Sequence, residues 1–560
     1  MKRITAFLLG AAALTAIPAA ARQLTPNEAL QRAFTSAQTS GARIKALNND
    51  TQLLYTVSSD NQAGAYVMAS PHTDGYVIIS ADDVAVPVLG YSDNGTFDAT
   101  EINPELNYWL NEYGREIAWA IANNVAPAKT KAIANDFATI EPMCTTKWNQ
   151  DSPYNDSCPI DPSTGKRSVT GCVATAMAQV MKYHNWPEQG KGSISYQYNG
   201  MSLSMDFSKT QFDWANMTNT YTATSTDVQK SAVALLMEAC GKSVKMMYSS
   251  NASGAYSNDV PKALMNYLNY ASTAIHISRS NFGLRSWEKI IYSQLTDFGP
   301  VYYSGQTSDI SGQSAGHAYV CDGYRTDGYF HFNWGWGGMS DGYFRLTALD
   351  PDAQGIGGSS SGFNYSQAIV AGVQKPDNAK PFRLFYAKDL NVTSEQVLLG
   401  DRVVFSGGFY YCGATRATGV GLGMIAVNDE TKEESYFPFT SGASYDNGQG
   451  AASMTVVTPV TLAEGTYTLR PAYTIDNVRN LMYIGLGATY ISMSVKDGKA
   501  TFKRPTAANI TTDKLETLSN VIIGSRFMAE ATFTNPTLKE FYNKVYTSIL
   551  SKGSDGKYTV

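Results

Sequence analysis

Residues 168–184 read Ser-Val-Thr-Gly-Cys-Val-Ala-Thr-Ala-Met-Ala-Gln-Val-Met-Lys-Tyr-His, and this stretch decides the fold of the central part of the chain. From Cys172 onward it is rich in Ala and Met and contains neither Gly nor Pro before Pro187, which predicts a helix that begins at Cys172. Thr170 or Gly171 then serves as the cap. The thiol lies in the first turn, where unpaired N–H groups and the positive helix end favour a thiolate. Taken alone, the stretch fits equally well an inert cysteine at the start of a core helix.

A second stretch, residues 315–342, reads A-G-H-A-Y-V-C-D-G-Y-R-T-D-G-Y-F-H-F-N-W-G-W-G-G-M-S-D-G. It alternates like two strands around a turn region that contains two Asp-Gly pairs, which predicts a hairpin centred on residue 325. A hairpin centred there sets His317 across from Asn333. This is the arrangement that a Cys–His pair needs, with a third group to orient the imidazole. The spacing from Cys172 to His317 is typical of papain-like enzymes, although the papain signature around the cysteine is absent.

These motifs resemble the streptopain family, which are secreted bacterial cysteine endopeptidases related to papain in fold and made as zymogens. The resemblance extends over residues 23–374 and includes the N-terminal unit, which is similar to the family's inhibitory pro-domain. It rests on seven stretches: Thr170–Ala176, Met181–Pro187, Gly316–Val320, Phe332–Gly338, Ser340–Gly342, Gly75–Asp83 and Val88–Ser92.

The resemblance implies a role for each of five candidate catalytic residues. Cys172 is the nucleophile, and His317 is the base and later the acid. Asn333 orients His317 through a ring N–H, and Trp334 shields that bond from water. Gln150, in the sequence Trp-Asn-Gln, donates its side-chain amide to the oxyanion together with the backbone N–H of Cys172. His184 and His331 are the rival histidines, and we expect structural roles for both.

The N-terminal region predicts export and a pro-domain. Residues 1–21 combine Lys2 and Arg3 with an apolar stretch, Pro18 and three alanines, which is typical of a secretory signal peptide. Residues 22–135 are expected to form an α+β inhibitory pro-domain that ends in an activation linker. The predicted localisation is therefore secreted or cell-surface, outside the cytoplasm, and no membrane span is expected.

The rest of the chain is expected to contain two kinds of domain. Residues 136–374 form the papain-like catalytic domain, so the fold class is α+β. From about residue 375 short alternating strands with Gly and Asn-Gly turns predict an all-β, Ig-like sandwich over 375–510. The segment Leu390–Arg402 is echoed, with one residue deleted, by Leu515–Arg526. This echo predicts a partial second sandwich repeat over 511–560, unless the two apolar strands are alike by chance.

Composition excludes several functional classes. The chain has 560 residues and a net charge of −5 without a long basic run, so nucleic acid is not an expected partner. Six Cys and five His, with no Cys-x-x-Cys pair, argue against a disulfide scaffold and a structural zinc site. We expect neither a cofactor nor a metal, and a pairing of Cys144 with Cys158 stays open.

Together these features predict a secreted cysteine endopeptidase that is made as a zymogen and hydrolyses peptide bonds through a thiolate–imidazolium pair. Its expected partners are protein or peptide substrates and its own pro-domain as an intramolecular inhibitor. By resemblance, an apolar side chain is preferred two positions before the scissile bond. Two alternatives remain at this point. One is a surface-binding, adhesin-like protein with an inactive peptidase-like domain, and the other is a papain-like acyl transferase.

Overall fold

The computed structural model describes residues 22–122 except 41, 60 and 61, residues 137–306, residues 316–346, and residues 367–503 except 460 and 486–490. Beyond these it describes the backbone of 511–517, 529–534, 551–552 and 558–559. The predicted signal peptide, residues 1–21, and the activation linker, 124–135, lie outside the described residues.

The N-terminal part contains two helices and four strands. They are α1 (Pro26–Ser40), β1 (Gln52–Ser59), β2 (Gln62–Ala69), β3 (Tyr76–Ser80), β4 (Val88–Ser92) and α2 (Pro104–Ala122). Thr25 and Glu28 cap α1 reciprocally, because each backbone N–H donates to the side chain of the other residue, at 2.8 and 3.3 Å. This part therefore combines helices and strands, as expected for an α+β unit.

The central part continues with helices that pack on both faces of the largest sheet among the described residues. Its helices are α3 (Cys172–His184), α4 (Asp227–Ser243), α5 (Val260–Asn266) and α6 (Leu284–Asp297). Its strands are β5 (Ser193–Tyr198), β6 (Met201–Asp206), β7 (Ile275–Ser278), β8 (Val301–Gln306), β9 (Gly316–Arg325), β10 (Tyr329–Asn333), β11 (Gly342–Phe344) and β12 (Ala368–Ala371). The helix predicted to begin at Cys172 is confirmed.

The C-terminal part is composed of strands throughout its described residues. They are β13 (Leu384–Val392), β14 (Gln396–Leu398), β15 (Arg402–Cys412), β16 (Ala417–Asn428), β17 (Glu434–Tyr445), β18 (Gly450–Val457), β19 (Gly465–Ile475), β20 (Val478–Leu481), β21 (Tyr483–Ile484), β22 (Ile491–Lys496), β23 (Lys499–Lys503), β24 (Thr511–Thr517), β25 (Ala529–Thr534), β26 (Ser551–Lys552) and β27 (Tyr558–Thr559). Two sheets, β18-β15-β13-β21 and one built on β16 and β19, enclose an apolar core that includes Phe405, Met424 and Leu469. The all-β texture predicted from residue 375 is confirmed.

One sheet joins the N-terminal and central parts. Within the described residues its order is β1-β2-β3-β4-β11-β10-β9-β8-β12-β7. The joint is the antiparallel pairing of β4 with β11, in which Gly90 lies opposite Phe344 and Tyr91 opposite Tyr343. The two parts therefore share backbone hydrogen bonds as well as side-chain contacts.

The two parts also share one hydrophobic core. Trp109 of α2 is 1% exposed, and its ring centroid lies 5.4 Å from that of Phe332 and 5.7 Å from that of Trp334. Both partners belong to the central part. Removal of the N-terminal part would therefore expose apolar rings of the central part to water.

A buried polar cluster lies beside the joint. Nδ1 of His331 is 2.6 Å from an Asp322 carboxylate oxygen, and Asp341 accepts a hydrogen bond from the Trp334 N–H at 2.9 Å. Burial raises the pKa of Asp341 to about 7. Burial alone would lower the pKa of His331, but the charge of Asp322 and the hydrogen bond to it outweigh that effect and raise it.

The C-terminal sheets dock onto the central part next to α6. Phe282 forms an isolated antiparallel bridge with Gly485, and its ring packs edge-on against Tyr386 at a centroid distance of 5.0 Å. The N–H of Ile484 donates to Oγ of Ser286 at 3.2 Å. Backbone and apolar contacts together fix this part against the central one.

The strand pair β24–β25 repeats the register of the strand pair β13–β15 at two positions. In β13 and β15, Ala387 lies opposite Phe409, and Val392 opposite Phe405. In β24 and β25 the corresponding pairs are Thr512↔Phe533 and Thr517↔Ala529, offset by 125 residues in the first strand and 124 in the second. This offset agrees with the single deleted residue in the sequence alignment. A second sandwich copy over 511–560 remains a prediction.

Trp109→Ala should destabilise the full-length chain by about 3–5 kcal/mol, because it leaves a cavity among the shared aromatic rings. The measurement is urea unfolding followed by circular dichroism in a Cys172→Ala background, which prevents self-digestion. Tyr256→Ala is the control, since Tyr256 is 69% exposed. Equal stability losses in the two variants would contradict a shared core.

Stability should fall as pH rises from about 4 to 7. In this window the unfolded chain ionises Asp341, whereas the folded chain keeps it protonated until its raised pKa near 7. His331 acts in the same direction, because the stability from its raised pKa is present at acid pH and is lost as pH rises through that pKa. Asp341→Asn keeps the acceptor for Trp334 and should flatten the pH profile of unfolding. The exposed Asp377→Asn serves as the control and should leave the slope unchanged.

Candidate active site

Cys172 is the first residue of α3 and is held there by the turn that precedes it. Gly171, at the N-cap, has φ 84°, and a Cβ at that position would lie 2.9 Å from the carbonyl oxygen of Ser253, so only glycine fits. Every residue from Val173 to Met181 is buried, and the helix packs against β8, β9 and α4. The half-buried thiol is therefore fixed at the positive end of a rigid helix.

His317 lies next to the residue that the thiol contacts. The Sγ of Cys172 is 3.9 Å from the carbonyl oxygen of Gly316, the first residue of β9. His317 follows it, is half-buried, and pairs with Gly305 of β8. The structure thus brings the predicted nucleophile and the predicted base to the same end of β9, although they are 145 residues apart in the sequence.

The hairpin that carries Asn333 exists, but its predicted register was wrong. The turn lies between Arg325 and Tyr329, with Gly328 at φ 90°, and a bulge follows between His331 and Phe332. As a result Asn333 lies opposite Val320 and not opposite His317. The physical reason is that the Asp327-Gly328 pair forms the turn, so the centre of the hairpin lies beyond residue 325.

Asn333 is buried and is held by three hydrogen bonds to described residues. Its Nδ2 donates to the carbonyl oxygen of Thr146 at 2.7 Å, and its Oδ1 accepts from Nε2 of Gln179 at 3.0 Å and from the N–H of Gly335 at 3.1 Å. These bonds occupy both lone pairs of the amide oxygen. The predicted orientation of His317 by Asn333 is not among these bonds and stays a prediction.

Gln179 is the residue of this region that the sequence analysis missed. It is completely buried in α3, and its Oε1 accepts from the hydroxyl of Thr146 at 2.8 Å while its Nε2 donates to Asn333. The available signal was a glutamine within an otherwise apolar helical run, seven residues after Cys172 and so on the same face.

Gln150 lies beside the turn that leads into α3. Its carbonyl oxygen accepts from the N–H of Thr170 at 3.1 Å, and its own N–H donates to Oδ1 of Asn149. The neighbouring Trp148 is fully buried, and its carbonyl oxygen accepts from the N–H of Gly337. The backbone hydrogen bond to Thr170 brings Gln150 near Cys172 in space. The role of the Gln150 side chain towards an oxyanion stays a prediction.

Trp334 is buried at the beginning of the loop that follows β10. Its ring N–H donates to the carbonyl oxygen of Ser340 at 2.9 Å, and its ring centroid lies 4.8 Å from that of Tyr319. Tyr319 is two residues after His317 in β9. Trp334 therefore packs against the strand that carries His317, and its shielding of an Asn–His bond stays a prediction.

The rival histidines have structural partners. Nδ1 of His184 lies 3.2 Å from the hydroxyl of Tyr270, and burial lowers its pKa to about 4, so this ring is neutral at ordinary pH. It lies at the opposite end of α3 from Cys172. His331 is paired with Asp322, as described above.

Metal sites, disulfides and membrane-spanning helices were also considered in the sequence analysis, and the described residues bear on each of them. Within the described ranges, no group of three or more His, Cys, Asp or Glu residues is arranged to hold a metal ion. All six cysteines, Cys144 and Cys158 included, are free thiols. None of the helices in the described part of the chain combines the length and apolar character that crossing a membrane requires.

Two protein-family profiles match parts of this chain. The profile of the Peptidase C10 family matches residues 148–344, and the profile of the Spi protease inhibitor matches residues 21–117. The first range contains Cys172, His317 and Asn333. The second covers most of the N-terminal part.

Curated relatives include two cysteine proteases. Streptopain from Streptococcus pyogenes is 36% identical over 321 residues, which cover 54% of this chain and 79% of that protein. The thiol protease/hemagglutinin PrtT from Porphyromonas gingivalis is 33% identical over 345 residues, which cover 59% of this chain but only 39% of that protein.

Among solved structures, a fragment of prointerpain A from Prevotella intermedia is 33% identical, with a TM-score of 0.49. The match covers 58% of this chain and 98% of that fragment. The family interpretation of the sequence is confirmed by the family profile and by the streptopain match: the chain belongs to the Peptidase C10 family, the streptopain family of papain-like cysteine endopeptidases.

Proposed function

We propose that this protein is a secreted cysteine endopeptidase whose reaction is carried by Cys172 and His317. The observation that carries the proposal is the contact of the Cys172 thiol with Gly316, the residue before His317, at the N-terminus of a buried helix. Both residues lie inside the range that matches the C10 profile. Export is inferred from the predicted signal peptide over residues 1–21.

In the proposed reaction the Cys172 thiolate attacks the peptide carbonyl carbon. The carbonyl oxygen becomes an oxyanion, which the N–H of Cys172 and the side-chain amide of Gln150 stabilise. One such donor is typically worth about 2.7–4 kcal/mol in the transition state. The protonated His317 gives its proton to the leaving amine, and the C–N bond breaks to leave a thioester. His317 then takes a proton from water, whose oxygen attacks the thioester; the C–S bond breaks, the carboxylic acid product leaves, and the thiolate–imidazolium pair is restored.

We assign residues 22–135 to an inhibitory pro-domain with its linker, 136–374 to the peptidase, 375–510 to a sandwich and 511–560 to the start of a second copy. The pro-domain assignment is supported by contacts with the loop after β10. The hydroxyl of Tyr76 donates to the carbonyl oxygen of Ser340 at 3.3 Å, and that of Ser92 donates to the carbonyl oxygen of Asp341 at 2.6 Å. That loop begins at Trp334, directly after Asn333, so the pro-domain contacts the segment beside the candidate site.

Cys172→Ala should abolish hydrolysis of an unfolded protein substrate, with a loss of about a thousandfold or more, because no other group replaces the nucleophile. The control is Cys412→Ala, which removes another half-buried free thiol, in the sandwich. Product amines and thermal unfolding are measured for both variants. Undiminished cleavage by Cys172→Ala would sink the mechanism. New amide products in place of hydrolysis products would favour the acyl transferase alternative.

Activation should remove the pro-domain by a cut in the linker, made by the enzyme itself or by another protease. N-terminal sequencing of the purified active form should give a first residue between about Thr130 and Cys144. The control is the inactive Cys172→Ala chain, incubated alone and with a trace of active enzyme. A fully active form that still carries residues 23–125 covalently would contradict the assignment.

A further inference from the structure

We propose that Gln179 is a positioning residue of the peptidase, which couples the helix of the nucleophile to Asn333 and the loop that follows it. The proposal rests on the proposed function for its activity test. It concerns a side chain whose amide is hydrogen-bonded to Thr146 and Asn333. The juxtaposition that supports it is a closed set of hydrogen bonds among Thr146, Gln179 and Asn333.

Backbone groups determine the direction of every bond in this set. The N–H of Gly335 can only donate, so the atom of Asn333 that faces it must be the oxygen. The carbonyl oxygen of Thr146 can only accept, so the other atom must be the amide nitrogen. Gln179 must then direct its own nitrogen at the Asn333 oxygen, which leaves its Oε1 for the Thr146 hydroxyl.

The set connects three segments that are far apart in the sequence. Gln179 lies two helical turns after Cys172, about 10 Å along the same face of α3. Asn333 ends β10, the strand paired with the one that carries His317. Thr146 lies in the segment that leads to Gln150. A change at Gln179 therefore reaches the surroundings of all the predicted catalytic groups at once.

The loop after Asn333 rests directly on this face of the helix. Gly335 has φ 74°, and a Cβ at that position would meet Cγ2 of Thr175 at 3.2 Å and Nε2 of Gln179 at 3.9 Å. All of the polar atoms concerned are buried, so water cannot replace a missing partner without entering the core. The amide of Gln179 thus fixes where the loop begins.

The activity test uses Gln179→Met, which keeps the length of the side chain but removes both hydrogen bonds. Its matched control is Gln294→Met in α6. Gln294 is also a buried helical glutamine, and its Oε1 accepts from the N–H of Gly372 at 2.8 Å, in a region without candidate site residues. With a peptide substrate and the matured enzyme, Gln179→Met should lower kcat roughly tenfold to a hundredfold and leave KM within about twofold. Gln294→Met should leave both constants near the wild-type values.

Asn333→Ala and the double variant complete a cycle. If Gln179 acts through Asn333, the double variant should lose no more kcat than Asn333→Ala alone. Additive losses of kcat would overturn the proposal, because they would show that the two residues act independently. Equal losses in Gln179→Met and Gln294→Met would also overturn it, because they would indicate a loss of stability only.

A second readout needs no turnover. Alkylation of Cys172 by iodoacetamide is followed against pH by peptide mass spectrometry in the full chain. In Gln179→Met the profile should shift by about half a pH unit or more, because the environment of the thiol changes, while Gln294→Met should match the wild type. Coincident profiles for all three proteins would overturn the proposal even if kcat fell. A wild-type enzyme without peptidase activity would refute the proposed function, and the alkylation profiles would still decide on Gln179.

Discussion

The burial of α3 on all sides is the constraint on which the candidate site depends. Because every residue from Val173 to Met181 is buried, the helix can neither slide nor rotate without opening the core. Its first residue, Cys172, is therefore fixed against the beginning of β9. The one large polar side chain within that run, Gln179, is tolerated because both the oxygen and the nitrogen of its amide are hydrogen-bonded, and those bonds extend the rigidity of the helix to β10.

Local patterns in the sequence were sufficient for the parts of the structure that local physics determines. The helix at Cys172, the two strands around the Asp-Gly turns and the all-β texture after residue 375 follow from propensity and alternation, and the structure contains all three. The register at Asn333 did not follow, since a bulge after His331 leaves no signature in the residue pattern. The choice between two adjacent Asp-Gly pairs for the turn was equally open to local reasoning.

The other features that the sequence did not predict are contacts between segments far apart in the chain. The contact of β4 with β11 joins residues about 250 positions apart, and nothing in either segment indicates its partner. The hydrogen bonds of Gln179 belong to the same category, because Thr146 and Asn333 approach it from separate segments. For the candidate site, the sequence could therefore indicate which residues are candidates for the chemistry. It could not indicate which buried amides hold them in place.

The sheet and core that the two parts share change what a break in the linker means. While the linker is intact, the N-terminal part is tethered to the central part, and the length of the linker determines its effective concentration at β11. After the break, the same surfaces form a two-component complex that is held by strand pairing and by Trp109 among the aromatic rings. Separation then obeys mass action, so it is favoured by dilution and by digestion of the freed fragment. If activity requires release of the N-terminal part, as proposed above, cleavage of the linker and the onset of activity are two distinct events, and the second depends on enzyme concentration.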